Sequence, residues 1–239
     1  MDILKVFVGF DPRVNRDYTV LQQSIHMKAS RPVAVIPLMI DKLPIERRGL
    51  TDFTFSRYLV PYLCGFQHGQ KAIFLDSDML VTGDICELAD EAPLNVPVSV
   101  VKSLDKFEWP SVMVFNCGHS DNKTLTPEWI DNVENHPNKF EWVKKGHDGI
   151  GDLPEEWNFC IGYSDPKKGK EAKLLHYTMG TPGFDDICEL ADEAPLNVPV
   201  SVVKSLDKFE WPSVMVFNCG HSDNKTLTPE RIDRDWETS

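Results

Sequence analysis

An apolar run followed by two spaced carboxylates, Ala72 to Leu75 and then Asp76-Ser77-Asp78, constrains the fold of this chain more than any other feature. The run has the composition of a parallel strand that is buried on both faces. Asp76 and Asp78 follow where such a strand leaves the sheet, at the edge where open α/β sheets bind their ligands. Because alternate residues of an extended chain point the same way, the two carboxylates can converge on one cation. Oxygen ligands suit Mg²⁺ or Mn²⁺ and such ions commonly hold a phosphate, whereas solvated acids at a polar strand end are the alternative.

The composition of the chain narrows the class of protein. The 239 residues carry a formal net charge of −12, and 41% of them are hydrophobic. This length allows one sizeable domain or two small ones, and the negative charge argues against nucleic acid as a partner. No apolar run is long enough for a transmembrane segment, and the N-terminus is typical of a first strand, not of a signal peptide. The six cysteines form no CxxC pair, which favours reduced thiols and a cytoplasmic location.

A nearly perfect internal repeat occupies the C-terminal part of the chain. Residues 84–131 recur as residues 186–233, and the only difference among these 48 positions is Trp129, which becomes Arg231. Structural repeats usually diverge and recur several times, so one intact copy indicates a recent duplication or an assembly error. We therefore predict one domain in residues 1–185, and we expect residues 186–239, the duplicate and a short tail, to form no independent domain.

Strand-like and helix-like segments alternate along residues 1–185. Residues 5–10 are predicted as the first strand, Asp11 and Pro12 as the start of a helix, and the spacing of apolar residues extends that helix to about Ala29. The next apolar run contains Pro37, which is typical of a strand at the edge of a sheet or of the end of a strand. This alternation predicts an α/β fold with a mostly parallel central sheet flanked by helices.

Three further residues could take part in chemistry at the end of this sheet. His176 follows an apolar strand beside glycine-rich sequence and is the best third metal ligand, although a lone histidine more often satisfies its hydrogen bonds in a core. Arg57 could pair with a phosphate or a carboxylate, or form a surface salt bridge. Asp148 lies in a glycine-rich turn, where it could face a substrate or cap the next segment. The sequence contains no P-loop, GxGxxG or GxSxG motif, so the residues alone indicate a metal-dependent domain that binds a phosphorylated or nucleotide ligand.

Five stretches of the chain, in this order, resemble glycosyltransferase family 8, the family of glycogenin and of bacterial lipooligosaccharide galactosyltransferases. They are VFVGFD (6–11), FSRYLVP (55–61), FLDSDML (74–80), LPEEWN (153–158) and HYTMGTP (176–182), and SVMVFN (111–116) is a further match. The resemblance covers about residues 1–184. It implies a GT-A fold, a nucleotide-sugar donor that is usually UDP-linked, a divalent metal such as Mn²⁺ or Mg²⁺, and transfer with retention at the anomeric carbon.

The resemblance also implies roles for individual residues. Asp76, Asp78 and His176 would hold the metal. Asp11 would lie near the base or ribose of the nucleotide, and Arg57 near the donor. Asp148 would lie near the reacting face and is the candidate catalytic residue, because a retaining enzyme needs either a carboxylate nucleophile or attack from the side of the leaving group.

We therefore expect a metal-dependent, retaining glycosyltransferase that uses a UDP-sugar and an unidentified glycan, lipid or protein acceptor. A nucleotide-sugar-binding protein that the duplication has inactivated is the alternative. A phosphatase of the haloacid dehalogenase type also begins with two spaced acids after a strand. That motif, however, expects Thr or Val where Leu80 stands, and it normally lies near the N-terminus.

Overall fold

The computed structural model describes residues 3–178, 180–181, 200–203 and 214–217. The chain divides into two compact units, residues 1–181 and residues 182–239. The division expected from the duplication, between residues 185 and 186, stays a prediction. Among the helices of the described residues, none has both the length and the hydropathy that a membrane span requires.

The secondary structure of the first unit alternates as the sequence predicts. Its strands, in chain order, are β1 (Leu4–Gly9), β2 (Val33–Leu38), β3 (Lys71–Leu75), β4 (Met79–Val81), β5 (Val98–Val100), β6 (Val112–Asn116), β7 (Gly151–Asp152), β8 (Phe159–Cys160) and β9 (Leu174–His176). Its α-helices are α1 (Asn15–Lys28), α2 (Val60–Leu63), α3 (Ile85–Glu91) and α4 (Pro127–Asp131). Short 3₁₀ helices fill much of the remainder, at Pro12–Val14, Ile40–Lys42, Ser56–Leu59, Trp109–Ser111, Ser120–Thr124, Pro137–Lys139, Gly146–Gly149, Glu155–Trp157 and Pro166–Glu171.

A six-stranded sheet in the order β2-β1-β3-β6-β5-β7 forms the centre of the first unit. Strands β1, β2 and β3 are parallel, as are β5 and β7, whereas β6 runs antiparallel to both of its neighbours. The predicted α/β class is confirmed, and the sheet is mixed. β2, which contains Pro37, is an edge strand, as predicted. Proline has no backbone N–H to donate, and an edge strand leaves one side without a partner that would need it. A second, small sheet has the order β4-β9-β8.

Two hydrophobic clusters cover the two faces of the central sheet. In β3, Ala72 and Phe74 belong to one cluster, whereas Ile73 and Leu75 belong to the other. All four side chains are fully buried, because neighbouring residues of a strand point to opposite faces and both faces are covered. The strand that ends at the two acids is therefore buried on both faces, as the sequence predicts.

Helix α1 follows β1 in the chain and is hydrogen-bonded to the strand that follows the two acids. The Asp11 carboxylate accepts a hydrogen bond from the Arg13 amide at 2.9 Å and caps the turn that precedes α1, as predicted. In the middle of α1, the Ser24 hydroxyl accepts a bond from the Val81 amide at 3.1 Å. This bond joins α1 to β4 and fixes the strand that follows Asp78.

The second unit contains two described strands, β10 (Val200–Val203) and β11 (Val214–Phe217), which pair antiparallel. They belong to the duplicated segment and repeat the pairing of the first copy. Val98 lies opposite Phe115 in the first copy, and Val200 lies opposite Phe217 in the second, with the same offset of 102 for both residues. The rest of the duplicate lies outside the described residues.

Candidate active site

The β3–β4 connection brings the two acids and the histidine to one edge of the sheet. β3 ends directly before Asp76, and Asp78 directly precedes β4. β4 pairs with β9 so that Met79 lies opposite His176, and the Tyr177 amide donates to the Asp78 carbonyl at 2.9 Å. The antiparallel register therefore places His176 beside Asp78, although the two are far apart in the sequence.

Asp76 is buried against Arg57. Arg57 Nη2 lies 3.0 Å from Asp76 Oδ1, and only about a tenth of either side chain is exposed. The guanidinium also donates to two backbone carbonyls, from Nε to Phe53 at 3.1 Å and from Nη1 to Pro110 at 2.8 Å. Burial raises the pKa of Asp76 to about 6 even though the charge of Arg57 lowers it. Arg57 thus fixes the position of Asp76 and offsets part of its negative charge.

Asn158 determines how the His176 ring is oriented. The ring is 3% exposed, and its Nδ1 lies 2.9 Å from Asn158 Oδ1. Asn158 Nδ2 donates to the Glu108 carbonyl at 3.4 Å, which identifies the atom that faces the ring as the amide oxygen. Because that oxygen can only accept, Nδ1 carries the hydrogen and Nε2 is the nitrogen that faces Asp78, at 3.5 Å from Oδ1. An acceptor that holds the other ring nitrogen in this way commonly orients a metal-binding histidine.

The surroundings of His176 favour its charged form in the metal-free protein. Burial lowers the pKa of the ring, but the neighbouring Asp78 carboxylate, the Cys160 thiol and the charge of Asp76 more than offset this and raise the pKa to about 10. A proton on Nε2 therefore balances the acids at neutral pH. A divalent cation bound there would have to displace that proton.

The donor atoms of Asp76, Asp78 and His176 fit a divalent cation. One donor atom from each residue lies within 4.8 Å of the other two. The Oδ1 atoms of Asp76 and Asp78 are buried and, among the described residues, accept no hydrogen bond, although each is in an ion pair. Buried oxygens without a donor are rare in folded proteins and call for an explanation. The two carboxylates suit either Mg²⁺ or Mn²⁺, and the imidazole nitrogen favours Mn²⁺ over the harder Mg²⁺.

A cleft of about 500 Å³ opens above this cluster. The volume lies within the range usual for small-molecule sites. Its walls combine apolar side chains with hydroxyl, amide and charged groups, and the cluster forms part of them: Leu50, Thr51, Phe53, Thr54, Arg57, Asp76, Asp78, Lys106, Phe107, Glu108, Pro110, Ser111, Asn138, His176 and Thr178. The predicted metal ligands therefore face a space that can hold a ligand.

The structure brings together four of the six residues singled out from the sequence. Arg57, Asp76, Asp78 and His176 all line the cleft. Of the described residues that line it, none is Asp11 or Asp148. Asp11 is buried at the end of β1 in an ion pair with Arg13, which lowers the pKa of Asp11 through hydrogen bonding. Asp148 is exposed on the 3₁₀ helix Gly146–Gly149.

Sequence reasoning missed three residues that surround the His176 ring. Glu108 lines the cleft, and its Oε2 lies 3.7 Å from His176 Nδ1. Cys160 Sγ lies 3.7 Å from the same nitrogen, and Asn158 is the hydrogen-bond partner described above. Asn158 belongs to the LPEEWN stretch, so a signal for it existed. Glu108 and Cys160 belong to no motif, and only the folded chain brings them near the ring.

Comparison with known proteins identifies a relative by sequence. No protein-family model matches the chain. Protein CDI of Arabidopsis thaliana is 33% identical over 223 residues, a match that covers 79% of this chain and 83% of that protein.

Solved structures share the fold at low sequence identity. The bifunctional glycosyltransferase WbbM is 18% identical with a TM-score of 0.54, and the match covers 81% of this chain and 50% of that one. The glycosyltransferase GlyE of Streptococcus pneumoniae is 20% identical with a TM-score of 0.50, over 74% of this chain and 54% of its own. Mouse xyloside xylosyltransferase 1 is 13% identical with a TM-score of 0.50, over 77% of this chain and all of its own. The chain thus spans about half the length of the first two, and its fold is GT-A, not the haloacid dehalogenase fold.

Proposed function

This chain belongs to the family of the Arabidopsis thaliana Protein CDI, and because its fold is GT-A we propose that it is a metal-dependent glycosyltransferase. The observation that carries the proposal is the convergence of Asp76, Asp78 and His176 at the floor of a cleft. The donor is a nucleotide sugar, a UDP-sugar by resemblance to glycosyltransferase family 8. The acceptor is a glycan, a lipid or a protein.

The chemistry divides between a cation and the residues that would hold it. When bound by Asp76, Asp78 and His176, Mn²⁺ or Mg²⁺ supplies a Lewis acid that neutralises charge on the diphosphate leaving group. Arg57 keeps Asp76 in place through its ion pair. Asn158 holds the His176 ring through Nδ1, so that Nε2 faces the acids. Groups fixed before the reaction in a largely buried cleft stabilise developing charge more effectively than mobile groups in water.

The stereochemical part of the proposal rests on resemblance to family 8. Members of that family retain the anomeric configuration, and we propose the same stereochemistry for this chain. Asp148 stays the predicted catalytic carboxylate, and Asp11 the predicted contact to the base or ribose. Both lie outside the cleft walls described above, so these two roles rest on the resemblance alone.

Calorimetric titration with UDP tests the donor site. We expect UDP to bind the full chain in the presence of Mn²⁺, and to lose at least about tenfold in affinity without metal or in Asp78→Asn. Asp41→Asn is a matched control, since the Asp41 side chain is 86% exposed. Equal UDP binding by wild type and Asp78→Asn would overturn the metal site.

A nucleotide-sugar-binding protein without transfer activity is the second candidate. The exposed position of Asp148, away from the cleft walls, is the observation that favours it. Incubation with a panel of UDP-sugars and Mn²⁺ distinguishes the two candidates, because transferases usually hydrolyse their own donor slowly. Release of UDP that stops on addition of EDTA supports the transferase. Tight UDP binding without release from any donor supports the binding protein.

A further inference from the structure

The two nitrogens of the His176 ring have different surroundings. Its Nδ1 atom lies 3.7 Å from both Glu108 Oε2 and Cys160 Sγ, and donor atoms of the three residues lie within 4.8 Å of one another. Cys160 is 1% exposed and His176 3%. One imidazole therefore separates an oxygen-rich set, Asp76 and Asp78, from a set that contains a thiol.

We propose that Glu108, Cys160 and His176 form a site for a soft divalent cation, Zn²⁺, that competes with the site formed by Asp76, Asp78 and His176. Thiol, imidazole and carboxylate are the ligands that zinc takes in proteins. The hard cations suited to the other site prefer oxygen. The two nitrogens of one ring thus select different metals.

The distances from Nδ1 to its neighbouring donor atoms are close to those of a zinc centre. Zn–S bonds of about 2.3 Å and Zn–N bonds of about 2.05 Å at a tetrahedral angle put sulfur and nitrogen roughly 3.6 Å apart. The observed separation of Cys160 Sγ and His176 Nδ1 is 3.7 Å. Glu108 Oε2 lies 3.7 Å from the same nitrogen and is the third ligand of the set. Cys160 and His176 therefore need little rearrangement to bind.

The charges and protons also balance when Zn²⁺ binds. The ion is bound by one thiolate, one carboxylate and one neutral imidazole, so the filled site carries no net charge. The Cys160 S–H proton and the His176 Nδ1–H proton pass to water as the Zn–S and Zn–N bonds form, and no oxidant is needed. Glu108 lines the cleft and its side chain is 21% exposed, which gives the ion a path from solvent.

Occupation of the second site would disable the first. In the metal-free chain the Asn158 oxygen accepts from Nδ1, and the Cys160 thiol donates weakly to Asn158 at 3.7 Å. Coordination at Nδ1 replaces the bond from Nδ1 to Asn158, and the neutral ring then keeps its one hydrogen on Nε2, the nitrogen that faces Asp78 and that the first site needs as a ligand. This consequence for catalysis rests on the proposed function, whereas the zinc site itself does not.

Cobalt absorption of the full chain tests the site directly, because a Co²⁺–thiolate bond gives a charge-transfer band. We expect the band in wild type and in Asp78→Asn, and a loss of about tenfold or more in Co²⁺ affinity in Cys160→Ser. Cys64→Ser is the matched control, another buried free thiol, and should leave the band unchanged. A band that persists in Cys160→Ser comes from other thiols and overturns the proposal.

Competition between metals tests the link to the first site. Zn²⁺ should weaken Mn²⁺ binding to wild type about tenfold or more, and much less in Cys160→Ser. Equal competition in both proteins would mean that zinc merely occupies the Asp76–Asp78–His176 site, and would overturn the proposal. Failure of the proposed function has a different signature, since the cobalt band would still depend on Cys160 in a chain that binds no UDP.

Discussion

Two buried polar clusters of the first unit differ in how fully their side chains are hydrogen-bonded. Asn122 donates from Nδ2 to the carbonyls of Pro97 and Asn116, at 2.7 and 2.8 Å, and its Oδ1 accepts from Trp142 Nε1 at 3.0 Å. By contrast, Oδ1 of Asp76 and of Asp78 accepts no hydrogen bond among the described residues. We call these the Asn122 cluster (Asn122 and its three partners) and the cleft carboxylates (Asp76 and Asp78).

The difference separates stability from function. A satisfied buried amide stabilises the fold, because removing it leaves several groups without partners. A buried carboxylate oxygen without a donor costs free energy in the metal-free chain, and such a cost is usual where a ligand completes the site. We therefore expect substitutions in the Asn122 cluster to reduce stability, and substitutions of the cleft carboxylates to reduce activity.

Asp78→Asn should have the largest effect of all, on turnover. Loss of one charged metal ligand should lower UDP-sugar turnover by about 10²- to 10³-fold, the scale seen when one transition-state contact is removed. The melting temperature of the metal-free protein should fall less than in the Asn122→Ala variant described next, because the substitution weakens the ion pair with His176 but leaves no buried group newly without a hydrogen-bond partner. Turnover and calorimetry on the same preparation measure both. A large loss of stability with normal turnover would reverse the comparison.

Asn122→Ala should have the opposite signature. The substitution leaves two carbonyls and the Trp142 indole without partners, at a cost of about 2–3 kcal/mol. For a domain of this size that corresponds to roughly 4–12 °C in melting temperature. Turnover per folded molecule at low temperature should be unchanged. Chemical denaturation gives the free energy of unfolding, and an unchanged value would show that the cluster is not structural.

The metal-free protein should lose stability as the pH rises from 6.5 to about 10. The pKa of His176 is about 10 in the folded chain and 6.5 ordinarily, so the folded state binds this proton more tightly. The stabilisation is complete below pH 6.5 and is lost as the pH rises through 10. Asp76, with its pKa raised from 3.8 to about 6, adds a loss of the same sign at lower pH.

Melting temperatures across this pH range, with and without Mn²⁺, measure the effect. His176→Gln should flatten the alkaline part of the curve by several degrees. Mn²⁺ should flatten it too, since the cation replaces the proton. Equal slopes in wild type and His176→Gln would contradict the assignment.

Removal of residues 186–239 should have the smallest effect. Both clusters lie within residues 1–181, which form a compact unit. The copy contains Asn224, the counterpart of Asn122, but the duplicated range ends before Trp142 and so supplies no second indole. The melting temperature of the shortened chain should change by less than about 2 °C, whereas a large loss would show that the duplicate supports the first unit.

Much of the fold could be predicted because its signals are local. The apolar run before Asp76 is a buried strand, Asp11 caps the turn before α1, and Pro37 lies in an edge strand. Each signal depends on a few consecutive residues whose backbone preferences and side-chain directions are set by their neighbours. His176 was also found in advance, because its strand and the glycine-rich sequence after it are visible in the chain.

The rest of the site could not be predicted in the same way. Glu108 and Cys160 reach the His176 ring from positions that no motif marks, and although Asn158 ends the LPEEWN stretch, nothing in that stretch indicates that its side chain contacts the ring. Asp148 lies in a turn that the sequence does not orient, and the folded chain leaves it exposed. Contacts of this kind depend on how several loops pack together, and a change of one residue in one loop would alter them.

The duplicate separates what the local sequence sets from what depends on the tertiary structure. By itself the sequence determined the pairing of β5 with β6, because the same residues pair in the same register as β10 and β11 outside the six-stranded sheet. Alternation of side chains makes a strand pair sensitive to a shift of one residue, so the pairing is set within the segment. Only the tertiary structure decided which groups surround His176, since their positions depend on residues far apart in the chain that meet when the β4-β9-β8 sheet closes beside β3.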